Sequence, residues 1–247
     1  MLTIEKTVLP SPDQWEIIIE GMRNPMNSWD KSDSFLCVEK EMTQEEIDNE
    51  CGKCAQKPCT IYDTSPHFII GENDHGLMKR LAAGGSVHAK YRRMIPVFVT
   101  INAPRYWWTE FDTHKIGTVA NSCSTMHKIH AKEFTIDDFS HEHLLPNILG
   151  VGGTTLVKNG LGALSDVVFI LNAYRDEYLK TKDKRYWWQM IQLLPQSYNQ
   201  KRTVMLNYEV LVNIYRWRRD HKLDEWHTFC DWIERLPYSE LITGKGA

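Results

Sequence analysis

One stretch near the middle of the chain, from His88 to Met126, constrains the fold more than any other. It contains the run from Met94 to Ile101, whose β-branched and aromatic side chains are typical of a buried strand. Ala103-Pro104 interrupts this run, and proline is well tolerated at the first position of a helix because that position needs no amide hydrogen. The stretch therefore predicts a buried strand that is followed directly by a helix.

The predicted helix is rich in aromatic residues and ends near a histidine. Tyr106, Glu110 and His114 are each four positions apart, which places them on one helical face. A loop of small and hydroxyl-bearing residues, 117–125, follows. Because side chains of this size do not fill a core, the loop is a candidate ligand site.

Length, charge and composition limit the class of protein. The chain has 247 residues, 42% of them hydrophobic, which suits a single domain, 1–247, with a sizeable core. A net charge of −3 argues against nucleic-acid binding driven by bulk charge. No apolar run approaches the length of a membrane span, and the first residues lack the apolar core of a signal peptide. We therefore expect a cytoplasmic protein with neither a nucleic acid nor a membrane as partner.

Periodicity predicts further elements on both sides of this stretch. Residues 2–9 alternate between apolar and polar, as in a half-buried strand, and Ser11 begins a helix that runs to about Met22. The part from 160 to 240 is predicted as largely helical, with Val204 and Leu206 assigned to the third of four helices.

A cysteine cluster lies in the segment 37–67. Cys51, Cys54 and Cys59 form a C-x2-C pair with a third thiol close by, and such a set could bind zinc with Cys37 or His67 as fourth ligand. The other interpretation is an insertion loop with exposed thiols. Six cysteines without a secretion signal are expected to be thiols or metal ligands rather than disulfides.

The order of these features resembles the flavin-dependent thymidylate synthases of the ThyX type. The signature of that family is Arg-His-Arg, seven residues, Ser, one residue and Arg. Without gaps it falls on Thr113-His114-Lys115, then Cys123 and Thr125. The central histidine is kept, whereas a thiol replaces the hydroxyl group and Thr125 replaces an arginine. His88 falls where the family has the first histidine of a flavin-contacting turn.

The C-terminal half extends the resemblance, which covers about residues 75–240. Asn207 corresponds to the asparagine of the family's Asn-Ala-Arg motif, but Glu209 stands at the position of its phosphate-binding arginine. Arg218 corresponds to the arginine of a Leu-Arg motif, and Arg235 is near the position of a last nucleotide-binding arginine.

The resemblance implies a fold, an activity and a set of ligands. The fold is α+β, a ThyX-like domain with a small antiparallel sheet packed with long helices. The implied activity is that of a divergent flavin-dependent thymidylate synthase-like methyltransferase, which transfers one carbon to dUMP or a related pyrimidine deoxynucleotide. It implies FAD as cofactor, NADPH and methylenetetrahydrofolate as co-substrates, and a homotetramer.

The resemblance also assigns roles to individual residues. Its catalytic candidates are Cys123 and His114. Its flavin-binding candidates are His88, His114, Lys115 and Thr118. Its nucleotide-binding candidates are Asn121, Cys123, Thr125, Arg218 and Arg235. The cations that could replace the lost arginines are Arg92, Arg93, Lys115 and Arg202.

Three arginines lie close together near the end of the third predicted C-terminal helix, and helix geometry limits how many of them can contact one ligand. Positions i and i+2 of a helix point about 200° apart, so at most two of Arg216, Arg218 and Arg219 are expected to serve one site. Since Arg218 is the better match to the family, we expect it to hold the nucleotide phosphate, and Arg216 to contribute little.

Two other functions stay open at this point. The chain could be a non-catalytic ThyX-fold protein that binds a nucleotide or a protein partner, or the cysteine cluster could bind zinc in a structural module. Flavin absorbance of the purified protein and elemental analysis for zinc distinguish these possibilities.

Overall fold

The structure is a computed structural model. It describes residues 1–37, 67–147, 150–151, 154–155 and 158–245. Most of the segment 37–67 lies outside the described residues, and with it the predicted zinc ligands Cys51, Cys54 and Cys59.

The helices and strands of the described residues have the following bounds. The helices are α1 (Pro12–Arg23), α2 (Glu72–Ala83), α3 (Arg105–Phe111), α4 (Thr125–Lys128), α5 (Gly160–Thr181), α6 (Lys184–Leu193), α7 (Tyr208–Arg218), α8 (Asp224–Glu234) and α9 (Glu240–Thr243). The strands are β1 (Thr3–Val8), β2 (Phe35–Cys37), β3 (His67–Ile69), β4 (Pro96–Pro104), β5 (Val119–Ser122), β6 (Gly150–Val151), β7 (Thr154–Thr155) and β8 (Asn199–Asn207).

The strands form one four-stranded sheet and two short pairs. The order in the sheet is β1-β4-β8-β5, and β2 with β3 and β6 with β7 form antiparallel pairs. About half of the chain is helical, so the predicted α+β class with a small antiparallel sheet is confirmed.

Helix α1 shows how local sequence sets an element. The Ser11 side chain accepts a hydrogen bond from the Gln14 amide, and the Gln14 side chain accepts one from the Ser11 amide, so two free amides at the helix start are satisfied. Trp15, Ile18 and Met22 are spaced along one face and all are buried. The helix predicted from Ser11 to about Met22 is therefore confirmed.

Helix α3 ends earlier than the sequence predicts. Its last residue is Phe111, and the Thr113 hydroxyl group donates a hydrogen bond of 2.7 Å to the Glu110 carbonyl, which closes the final turn. His114 follows in a loop. The prediction that His114 shares a helical face with Tyr106 and Glu110 is therefore wrong.

Two further segments that were predicted as a helix and as a loop contain strands instead. Val204 and Leu206 lie in strand β8, where both are buried while Met205 between them is half-buried, a period of two that packing on one sheet face imposes. Helix α7 begins only at Tyr208. The predicted loop 117–125 contains strand β5, next to which the Cys123 amide donates a hydrogen bond of 2.9 Å to the Lys201 carbonyl.

The chain divides into two compact units, each built from several segments. Unit 1 comprises Met1–Glu5, Thr100–Thr113 and Ala120–Thr203. Unit 2 comprises Lys6–Val99, His114–Val119 and Val204–Ala247. In unit 1, α5 packs against α6 over a core that includes Phe134, Phe139, Leu171 and Met190. In unit 2, the fully buried side chains include Trp15, Met78, Tyr208, Trp226 and Phe229.

A buried ion pair between Arg23 and Asp74 joins helices α1 and α2 in unit 2. Asp74 is completely buried, and one of its carboxylate oxygens accepts a hydrogen bond of 2.5 Å from the Arg23 Nε. The other oxygen accepts bonds from the hydroxyl groups of Ser32 and Ser34 and from the amides of Asp33 and Ser34. Burial alone would raise the pKa of Asp74, but these hydrogen bonds and Arg23 together lower it. The carboxylate is therefore charged and fully satisfied.

Candidate functional site

The candidate site is a cavity of about 950 Å³ within unit 2. It is lined by residues of five segments: the turn after α2, the 3-10 turn Lys90–Met94, the loop at 116–117, helix α7 and the end of α9. A volume of this size suits a nucleotide or cofactor, since ligand sites in proteins span roughly 300–1,000 Å³.

Positive charge dominates the cavity wall. Of the residues that the structure describes, four arginines line it: Arg92, Arg93, Arg216 and Arg219. Arg216 and Arg219 come from the C-terminal end of α7, where positions i and i+3 share a face. Both are exposed, whereas Arg92 is only 7% exposed. Guanidinium groups grouped in this way are suited to a ligand that carries phosphate.

Glu209 is the acidic member of the described wall. Its Oε2 lies 3.6 Å from Nη1 of Arg92, too far for a hydrogen bond but close enough for an ion pair. Neither Glu209 Oε2 nor Arg92 Nε, both buried atoms, has a hydrogen-bond partner within the part of the chain that the structure describes. The pair is therefore incompletely satisfied, and both members face a cavity.

Gly117 allows the loop to approach the start of α7. Its φ of +78° lies in the left-handed region that favours glycine. A Cβ atom there would come within 3.0 Å of a Val210 methyl group and 3.2 Å of the Asn207 side-chain nitrogen. Asn207 itself caps α7 by accepting a hydrogen bond from the Val210 amide. Any larger residue at position 117 would therefore push this part of the wall away from α7.

His114 lies in an aromatic and cationic environment in unit 2. Its ring stands edge-on to Trp226 with 6.0 Å between the centroids, and the Arg218 guanidinium lies 4.9 Å from the Trp226 ring centroid. Burial, and secondly the charge of Arg218, lower the pKa of His114. The imidazole is therefore neutral at neutral pH, and its buried Nε2 has no hydrogen-bond partner among the described residues.

The structure places Arg216, rather than Arg218, in the cavity wall. Arg218 lies against Trp226 rather than in the cavity wall, and Arg216, expected to point away from the site, lines it together with Arg219. The two arginines that share the wall, Arg216 and Arg219, agree with the expectation that at most two of the three arginines serve one site. The assignment of Arg218 to the nucleotide stays a prediction.

The remaining candidates of unit 2 are more scattered. His88 and Lys115 are exposed, and Arg235 is exposed where α8 ends. Thr118 is half-buried, and its hydroxyl oxygen is buried with no partner among the described residues. Arg92 and Arg93, which were candidates for replacing the lost arginines, both line the cavity.

The other nucleotide-binding candidates belong to unit 1. Asn121 and Cys123 are exposed on and after β5, and Thr125 begins α4. The Gln200 side-chain amide donates to the Cys123 carbonyl at 3.2 Å and to the Thr125 hydroxyl group at 3.1 Å, which fixes this turn. Arg202 lies 4.4 Å from the Trp108 ring centroid and binds Asp112 at 2.8 Å, so its charge is already engaged within unit 1.

The described residues contain neither a cluster of metal-binding side chains nor a helix that could span a membrane. No group of three or more His, Cys, Asp or Glu side chains there is arranged to hold a metal ion. None of the helices described is long and apolar enough to cross a membrane.

The fold is that of the flavin-dependent thymidylate synthases, which confirms the resemblance at the level of fold. A crystal structure of ThyX from Helicobacter pylori with FAD and dUMP matches with a TM-score of 0.58 and 14% identity over 99% of this chain and 96% of that one. The UMP/dUMP methylase PolB from Streptomyces cacaoi, bound with 5-Br dUMP, matches with a TM-score of 0.51 and 13% identity over 100% of this chain and 95% of that one. No protein-family profile and no curated sequence matches the chain.

Proposed function

We propose that the chain is a divergent thymidylate synthase-like enzyme that binds a pyrimidine nucleotide and, with flavin, transfers one carbon to its base. The observation that carries the proposal is the arginine-lined cavity of unit 2, in a chain whose fold matches structures containing FAD and dUMP. A nucleotide monophosphate carries up to two negative charges, and arginine binds such groups through paired, charge-assisted hydrogen bonds. Arg216 and Arg219 would hold the phosphate, with Arg92 behind them.

The arginines and unpaired polar atoms of unit 2 also suit a flavin dinucleotide. Its diphosphate needs cations, and the isoalloxazine ring offers polar edges that hydrogen-bond to side chains. Thr118 Oγ1 and His114 Nε2 are buried polar atoms without a partner among the described residues, and a bound flavin could satisfy them. His88 and Lys115 would contribute as the resemblance implies. When bound, the flavin supplies the hydride chemistry.

The chain itself would orient and hold the substrates. A neutral His114 can donate or accept one hydrogen bond without bringing a second positive charge beside Arg218. On the resemblance alone, Asn121, Cys123, Thr125 and Arg218 are proposed as nucleotide contacts. Arg235, which the resemblance also assigns to the nucleotide, is exposed where α8 ends and is left out of the proposed phosphate site. NADPH and methylenetetrahydrofolate as co-substrates, a homotetramer and a cytoplasmic location complete the proposal.

Spectroscopy and calorimetry test the proposal directly. The purified chain, supplemented with FAD and freed of excess by gel filtration, should retain flavin absorbance near the visible band of the cofactor. Titration with dUMP should show saturable binding that is tighter than binding of a purine deoxynucleotide. With NADPH and methylenetetrahydrofolate, the flavin-loaded chain should convert dUMP to a 5-methylated product. A chain that retains no flavin and binds no nucleotide would refute the proposal.

The ion pair between Arg92 and Glu209 favours a second candidate, a nucleotide-binding protein without catalysis. It places a negative charge in the cavity wall, which weakens the attraction for a cofactor diphosphate. Such a protein would bind dUMP, retain no FAD and form no methylated product in the same assay.

A further inference from the structure

Glu209 is the feature of the cavity that phosphate binding does not explain. A carboxylate near four guanidinium groups repels a bound phosphate, yet Glu209 is positioned in the wall, with its side chain 13% exposed. A structural role in balancing Arg92 is incomplete, since the two side chains are 3.6 Å apart and form no hydrogen bond. Glu209 thus lines the cavity with a carboxylate whose Oε2 has no hydrogen-bond partner in the described part of the chain.

We infer that Glu209 accepts a hydrogen bond from a sugar hydroxyl group of the bound nucleotide and so selects ligands that carry one. The inference rests on the proposed function, because it takes the arginines as the phosphate site. An ionised carboxylate is an acceptor only, so its partner must be a donor. The buried Oε2 has no donor from the described chain, and leaving a buried acceptor unpaired is costly.

The position of Glu209 identifies the donor. Glu209 and Arg216 are seven positions apart on α7, which places them on one helical face about two turns apart, and both line the cavity. A phosphate held by Arg216 and Arg219 would therefore have its covalently attached neighbour on the side of Glu209. In a nucleotide that neighbour is the sugar, whereas the donors of the base lie further along the molecule. Carboxylates accept hydrogen bonds from ribose hydroxyl groups in other nucleotide sites, which shows that the chemistry is suitable.

The start of helix α7 fixes the carboxylate in place. Glu209 is in the first turn, where the helix dipole stabilises a negative charge, and Asn207 caps the same turn. The preceding loop packs tightly there at Gly117. Glu209 is therefore a rigidly placed acceptor, which favours discrimination between ligands that differ by a single hydroxyl group.

Calorimetric titration with three uridine monophosphates tests the inference. The ligands are UMP, dUMP and 2′,3′-dideoxyuridine monophosphate, which have the same phosphate and base and lose hydroxyl groups in turn. For the native chain, removal of one of the two hydroxyl groups should weaken binding about tenfold or more, because a hydrogen bond to a charged acceptor is worth at least this factor. In Glu209→Ala the same ratio should fall towards one.

The ratio separates the hydrogen bond from simple charge repulsion. Loss of the carboxylate strengthens binding of every phosphate ligand equally, so this effect cancels between ligands. Glu209→Gln, which keeps the shape and a neutral acceptor, should give an intermediate ratio and guards against a folding defect in the alanine variant. Asp220→Ala is the matched control: it removes an exposed carboxylate 3.7 Å from Arg219 and should leave the native ratio unchanged.

The outcomes distinguish the inference from the function on which it rests. If the native chain binds all three ligands equally, or if Glu209→Ala keeps the native ratio, the inference is overturned while nucleotide binding stands. If no uridine nucleotide binds, the proposed function fails and the inference fails with it. A hydroxyl dependence that disappears only in the Glu209 variants establishes the contact.

Discussion

The two cavity arginines of α7 give the sharpest test of the phosphate site. Replacing both Arg216 and Arg219 by alanine removes two charges from one face of the helix and leaves Arg92 in place. Arg235→Ala is the matched control, because it removes an exposed arginine from the same unit that does not belong to the described cavity wall. The resemblance to the family assigns Arg235 to the nucleotide, so the comparison also sets the two assignments against each other.

The magnitude follows from the exposure of the side chains. Two unit charges 4 Å apart attract each other by about 1 kcal/mol in water and by about 4 kcal/mol at an effective dielectric constant of 20. Since both arginines are exposed, we take the lower value for each. The double variant should therefore lose about 2 kcal/mol of dUMP binding, close to a thirtyfold change in Kd. Arg235→Ala should change Kd less than about twofold, as expected for a surface charge.

Isothermal titration at two salt concentrations measures both quantities. Screening by salt shortens the range of exposed charges to about 10 Å at 0.1 M, so binding by the native chain should weaken as salt rises. The double variant should show a smaller dependence on salt because fewer exposed charges contribute. Equal Kd values for the double variant and Arg235→Ala would refute the assignment of the phosphate to this face of α7.

Three further predictions concern other parts of the molecule. Arg218→Ala should raise the pKa of His114, because it removes the nearby positive charge that helps to lower it, and NMR titration of the imidazole will measure this change. In the native chain, the free energy of unfolding should fall as the pH drops below 6.5, the usual pKa of histidine, because the unfolded chain then binds the proton more readily than the folded chain. Unfolding at several pH values will measure this dependence. Asp74→Asn should lower the free energy of unfolding by about 3 kcal/mol in urea, because it leaves Arg23 buried without its charge partner. The exposed thiol of Cys123 should react with a maleimide, and dUMP should slow this reaction more than a purine nucleotide does.

Each of these three predictions has a control or an outcome that would contradict it. For Asp74, the exposed Asp30→Asn should leave stability nearly unchanged, and an equal loss in both variants would contradict the role of the buried pair. For Cys123, peptide mapping should show Cys230 unmodified, since it is buried and burial raises its pKa to about 12. Identical labelling of Cys123 with and without dUMP would remove it from the nucleotide site. A pKa of His114 that stays constant in Arg218→Ala would show that burial alone sets it.

The sequence predicts elements well where local chemistry decides them. The capping residues Ser11 and Gln14 and the apolar spacing of α1 act over a few positions, and α1 follows the prediction closely. Val204 and Leu206 are different, because an apolar pair two positions apart suits a strand while the residues around it suggest a helix. Only the neighbouring strands of the sheet, which are remote in sequence, decide for the strand.

The residues of the candidate site were likewise predictable only in part. Charge and spacing indicated Arg92 and Arg93 as possible phosphate ligands, and both line the cavity. The family pattern favoured Arg218 over Arg216. Helix α7 begins four positions after Val204, which had been assigned to it, and its orientation depends on packing against α9 and the 3-10 turn Lys90–Met94. The rotation of a helix about its axis is a tertiary property, and a motif alone does not set it.

The division into two units has a consequence for how the chain acquires its structure. Unit 2 draws on Lys6–Val99, His114–Val119 and Val204–Ala247, so it is complete only when contacts close across more than a hundred intervening residues. Closing such loops is entropically costly, which slows folding. During synthesis, a chain that has reached Thr203 contains every segment of unit 1 but lacks helices α7 to α9. Until the rest of the chain emerges, Trp15 of α1 lacks the Tyr238 ring that stands edge-on to it at 6.1 Å, and apolar surface left uncovered in this way promotes aggregation of a partly folded chain.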